Sequence, residues 1–142
     1  MPHSLISFAE LLIHATVILP AEEAHAMEKA AKVLEEEAKS LIGVPQAGWP
    51  PLAQVTIDRK GSNTPLLDTG EMKDSIEHNS DRHDAYIGSN NPKLRWHEFG
   101  TNNVPWSTTN PARPVLALAS VRKENEVKEI IGRSIMVALE TL

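Results

Sequence analysis

The stretch AEEAHAMEKAAKVLEEEAKSLI, residues 21–42, decides the fold class. Ala24, Met27, Ala31, Leu34, Ala38 and Leu41 recur at alternating steps of three and four, the spacing of a narrow helical seam. Glu35, Glu36, Glu37 and Lys39 fall on the other faces and read as a solvated side. The small Ala positions allow a partner helix to approach closely, either within the chain as a hairpin or between subunits. Gly43 ends the pattern, as glycine commonly does at helix C-termini.

Working outward, Ser4 is expected to cap a first helix that places Leu5, Phe8, Leu12 and Ala15 on one face. Pro20 is expected to end that helix near Leu19 and to open the second. After Gly43, the segment 44–66 is rich in Pro and Gly and reads as a linker-like loop. Within it, residues 52–60 are compatible with either a short helix or a strand. Asp68 is expected to cap a short helix with Met72 and Ile76 inward.

Residues 75–79 and 85–88 read as two strands joined by the turn 80–84, and Asn90-Asn91-Pro92 breaks the second. Residues 94–99 are helical or extended, and 101–111 form a polar loop that contains Trp106. The last segment, 115–142, is mostly helical, with Val127, Ile130, Ile131, Ile135, Ala138 and Leu142 as its inner stripe. Gly132 in that helix is expected to mark close packing.

The fold class is therefore α+β, with N- and C-terminal helices packed on a small antiparallel β-sheet. One domain is expected over residues 1–142: a helical region 1–43, a Pro/Gly-rich loop 44–66, a β-rich middle 67–114 and a C-terminal helix 115–142. A chain of 142 residues suits a single domain.

Composition narrows the function. The chain is 41% hydrophobic but only 4% aromatic, so its core must rest on aliphatic side chains. A net charge of −5 with scattered Lys and Arg leaves no basic footprint for nucleic acid. There are no cysteines, which excludes disulfides and thiolate chemistry. The apolar run from Leu11 to Leu19 is too short to span a bilayer and lacks a basic leading region, so neither a membrane span nor a signal peptide is expected.

Two lures toward chemistry are weighed against plainer readings. Leu66-Leu67-Asp68-Thr69-Gly70 resembles the active-site turn of retroviral-type aspartic proteases, and Ile130-Ile131-Gly132-Arg133 resembles their second motif. By that resemblance Asp68 would share a proton with its counterpart in a dimer. Such proteases are almost all β, whereas helical periodicity dominates both ends here, so the plainer role for Gly70 is to ease the start of a short helix. His78, His83 and His97 invite a metal site, but Glu98 and Thr101 do not complete His-Glu-x-x-His. The histidines near the turn are expected to face solvent. No catalytic residue, metal site or cofactor is predicted.

Trp49, Trp96 and Trp106 are large anchors in loops or at loop edges, Trp96 expected in the core and Trp106 at an interface. Trp96 and Phe99 read as packing groups and Gly100 as the turn that follows them. Arg113, fixed between Pro111 and Pro114, is expected to clamp carbonyls or a carboxylate, with Glu98 as a candidate partner.

Together, Trp49-Pro50-Pro51-Leu52, Pro65-Leu66-Leu67-Asp68-Thr69-Gly70-Glu71-Met72, Tyr86-Ile87-Gly88, His97-Glu98-Phe99-Gly100-Thr101 and Ala112-Arg113-Pro114-Val115-Leu116 come in an order that resembles the tail-component family of tailed bacteriophages. That family includes tail-completion and head–tail joining (neck) proteins. The chain departs from the pattern in a long loop after Asn102 and in Val115, where an aromatic is expected. The resemblance implies a non-enzymatic assembly protein that acts at the head–tail junction as an oligomeric ring. Its partners would be head, connector and tail proteins, in the host cytoplasm and then in the virion. One face of such a ring contact is expected to be helical and the other to include the loop around Trp106.

Overall fold

A computed structural model describes residues 5–101 and 110–140, with side chains from residue 9 onward in the first helix. Ser4, the segment 102–109 with Trp106, Leu142 and the side chains of Leu5 and Phe8 lie outside the described residues. Five helices and two strands are described: α1 Leu5–Leu41, α2 Gln54–Lys60, α3 Glu71–Asp74, β1 Ile76–Ser80, β2 Ala85–Ser89, α4 Pro92–Phe99 and α5 Leu116–Glu140. The α+β class is as expected: two long helices pack with one antiparallel hairpin, in which His78 pairs with Ile87 and Asn79 with Tyr86. The two strands fall where the sequence placed them, within one or two residues, and α3 and α4 flank the hairpin.

Helix α1 corrects the expected break at Pro20, which sits inside one continuous helix of 37 residues. A proline there leaves the carbonyl of Thr16 without its helical donor. Thr16 and Val17 are exposed, so water can serve that carbonyl. Past Pro20 the helix is held on two sides. Ala26, Ala30, Ala31, Ala38 and Leu41 are all buried, an arc wider than the predicted seam. Ala24, assigned to that seam, is instead exposed. A helix with α5 on one flank and the hairpin on another buries more than one stripe. Leu12, expected inward, is also exposed.

Helices α1 and α5 run antiparallel. Glu37 lies 3.8 Å from both Arg122 and Lys123 at one end, and the Ser134 hydroxyl donates to the Glu22 carbonyl at 2.8 Å near the other. Alanine on α1 permits this approach, with Ile130 and Ile131 half-buried opposite. The densest core lies where α1 ends, among Ala38, Leu41, Ile42, Trp49, Met72, Ile76, Leu94, Val115 and Ala119. Ile76 has no exposed surface and Met72 is buried, as the pattern predicted. Two local expectations fail. Asp68 is exposed and does not cap α3, which starts after Gly70 (φ 86°) with the Glu71 amide donating to the Thr69 hydroxyl at 3.3 Å. Nor does Gly132 mark close packing: a Cβ there would meet nothing within 4 Å.

The hairpin docks on α1 through polar pairs. His78 bonds Glu35 through Nδ1 and Glu28 through Nε2, the latter at 2.7 Å. The Ser80 hydroxyl donates to Glu28 at 2.6 Å, and Arg82 pairs with Glu23. Thus His78 and Glu35 are half-buried partners, correcting the reading of both as solvated, while His83 is exposed as expected. The Glu35 and Glu28 carboxylates raise the His78 pKa above its ordinary 6.5. Lys39 and His78 lower that of Glu35 below 4.5, and Ser80 and His78 do the same for Glu28.

Two predictions follow from these features. Gly132→Ala should raise the unfolding free energy by about 1 kcal/mol, measured by urea denaturation, because the new methyl meets open space. The second concerns pH. A raised His78 pKa gives stability that is full below 6.5 and lost as pH rises through the elevated value. A depressed Glu35 pKa gives stability that is full above 4.5 and lost as pH falls through the lowered value. Thermal stability should therefore peak between these limits, and His78→Gln should flatten the alkaline fall of Tm.

Candidate interaction surface

Helix α4 is short but has two contrasting sides. Asn91 precedes it, and its side chain accepts the Lys93 amide at 3.0 Å, while Pro92 takes a first-turn position where no amide is needed. Leu94 is buried and His97 and Glu98 half-buried, spaced as one helical face. Pro92, Arg95, Trp96 and Phe99 form the opposite face, and all are exposed.

The inner side fastens three parts of the chain. Both Glu98 oxygens cap the start of α5: Oε2 accepts the amides of Val115 at 2.7 Å and Leu116 at 3.0 Å, and Oε1 accepts that of Ala117 at 2.9 Å. A carboxylate here satisfies amides that have no partner within the helix and opposes the positive end of its dipole. The buried Arg113 guanidinium donates to the Pro50 carbonyl at 2.9 Å and the Pro51 carbonyl at 3.1 Å. Its backbone amide donates to the His97 carbonyl at 2.7 Å. Trp49, buried, donates its indole N–H to the Pro114 carbonyl at 3.2 Å. Arg113 is thus a clamp on carbonyls, as one of the two sequence alternatives had it, but the pairing with Glu98 is corrected. That carboxylate is committed to α5.

Gly100 closes the unit. Its φ of 74° and ψ of 173° suit glycine, and a Cβ would lie 3.0 Å from both the Ala112 nitrogen and the Asn110 carbonyl oxygen. Across the same narrow gap the Thr101 amide donates to the Asn110 carbonyl at 3.0 Å. His97 sits beneath. Burial lowers its pKa from 6.5, helped by Arg113, Lys60 and Lys93. Its Nδ1 is buried without a hydrogen-bond partner among the described residues.

The outer side overturns the expectation that Trp96 and Phe99 pack inward. Trp96 is 49% exposed and Phe99 76% exposed. Further exposed apolar side chains lie toward the far end of the α1–α5 pair. On α1 they include Ile13, 66% exposed, and Val17, 70% exposed; on α5 they include Met136 and Leu139, each about half exposed. Ile135, assigned to the inner stripe of α5, is 42% exposed. Exposed apolar patches of this kind mark contact sites more often than isolated side chains do.

The Ile130-Ile131-Gly132-Arg133 motif lies inside α5 rather than on a strand. Among the described residues, no cluster of three His, Asp or Glu side chains is placed to hold a metal ion. No described helix is long and apolar enough to cross a membrane.

The layout is that of a small helical scaffold with unpartnered apolar ends, a class suited to assembly. Comparison with known families agrees: residues 8–136 match the phage virion morphogenesis family. The chain belongs to that family, and its role is one of phage structure and assembly. No curated protein and no solved structure matches it.

Sequence reading missed the Glu98 cap, although a signal was present. The first turn of α5 carries no acidic residue, and the residue before it, Val115, has no side-chain acceptor. A cap had to come from elsewhere in the chain. Glu98→Ala should destabilise the protein by about 2 kcal/mol, the sum of a lost cap and a lost charge at the dipole. Glu98→Gln should cost roughly half as much. Denaturant melts of the two variants against the parent protein check both values.

Proposed function

We propose that the protein joins heads to tails, as a tail-completion or neck component, and that it works as an oligomeric ring. The observation that carries this reading is the pair of unpartnered apolar surfaces at opposite ends of one scaffold, in a chain of the virion morphogenesis family. A ring needs two different faces per subunit, each complementary to the other. Head, connector and tail proteins would be its further partners. It would be made in the host cytoplasm and end in the virion.

Within this reading the site residues divide by role. Trp49, His97, Glu98, Gly100, Arg113 and Pro114 build the scaffold, and Gly70 supplies the turn into α3. Trp96 and Phe99 present contact area on its outside, where aromatic side chains contribute most to binding. Trp106 remains an interface proposal on its sequence alone.

Interrupting the gene in its phage and imaging the lysate by electron microscopy tests the placement. Filled heads and separate, unjoined tails are expected, with joining restored by adding the purified protein. Normally joined particles, or a complete lack of tails, would contradict a role at the junction.

A further inference from the structure

We infer that the outer face of α4 in one copy docks on the far end of the α1–α5 pair in a second copy, head to tail. This deepens the ring reading above and rests on it for its biological setting.

Three observations carry the assignment. The two surfaces stand at opposite poles. Helix α4 caps the start of α5, beside the C-terminal end of α1, whereas Ile13 and Val17 lie on the N-terminal part of α1. With 37 residues, α1 spans about 55 Å, which sets the two surfaces far apart. The second observation is chemical matching. The α4 face offers Trp96 and Arg95, two of the residue types richest in binding energy, with Phe99 beside them. The helical pole offers aliphatic side chains that such aromatics can bury against.

The third observation is charge. On α4, Lys93 and Arg95 are exposed and, among the described residues, in no ion pair. At the helical pole, Glu10 and Glu140 are exposed and likewise in no ion pair among the described residues. Unlike poles attract and like poles repel, so charge favours a contact between different faces over a twofold contact between identical ones. Repeated, a contact between different faces closes into a ring if its rotation allows, and otherwise runs on as a filament.

The test uses the purified full chain and two variants at exposed positions, Phe99→Asp and Ile13→Asp, with circular dichroism to confirm folding. In sedimentation the parent chain should self-associate and each variant alone should be monomeric. An equimolar mixture should yield a dimer and nothing larger, because each variant keeps the face the other lacks. In a second arm, Arg95→Glu should weaken association roughly tenfold, and adding Glu10→Lys should restore it. The inference is overturned if the parent chain is monomeric at its highest soluble concentration. It is equally overturned if Ile13→Asp abolishes association while Phe99→Asp leaves it intact, the result of a twofold helical contact, or if the mixture of folded variants stays monomeric. The particle-joining assay reads the junction role separately, so that role can stand while this contact falls.

Discussion

Helix α5 begins at Leu116 with no acceptor of its own, so its first amides need one from a distant part of the chain. Glu98 supplies it with both carboxylate oxygens. From that bond the rest follows in order. It fixes the end of α4 against the start of α5, and this places Arg113 where its guanidinium reaches the carbonyls of Pro50 and Pro51. The Pro-rich segment is thereby drawn over the core, and Trp49 seals it by bonding Pro114. Each link joins segments far apart in sequence, which is how a chain with few aromatics and a modest apolar fraction closes its core at this end.

The scaffold gives so many unusual residues in one place a structural role. His97 is half-buried with its pKa lowered, Glu98 is occupied by three amides, and Arg113 is spent on carbonyls. A site for catalysis would keep such groups available to a substrate. Here the polar chemistry faces inward and the apolar residues Trp96 and Phe99 face outward. That inversion is what a rigid mount for a contact surface requires, because side chains on a fixed element lose less freedom on binding.

Much of this was legible in the chain. Helical periodicity from Ala24 to Leu41 identified the α1 seam in outline, and the two short runs on either side of the 80–84 turn located the hairpin. Local signals failed where tertiary partners decide. Pro20 reads as a helix end, yet the helix persists because its exposed carbonyls can turn to water while its later turns are packed on two sides. Trp96 reads as core by hydrophobicity alone, but Leu94, His97 and Glu98 had already taken the inner face of α4. The Glu98–α5 and His78–Glu35 bonds span 17 or more residues, beyond the reach of any local motif. The order of short motifs along the chain gave the phage family, and the family match over residues 8–136 agrees with it.

The central claim is that the signature around Glu98 is a structural fastening for α5. Hydrogen exchange of the native protein, resolved to single amides by NMR, tests it most directly. The amides of Val115, Leu116 and Ala117 would ordinarily exchange quickly at a helix start. Held by Glu98, they should exchange as slowly as amides in the interior of α5. Rapid exchange at these three positions, with the α5 interior protected, would contradict the account.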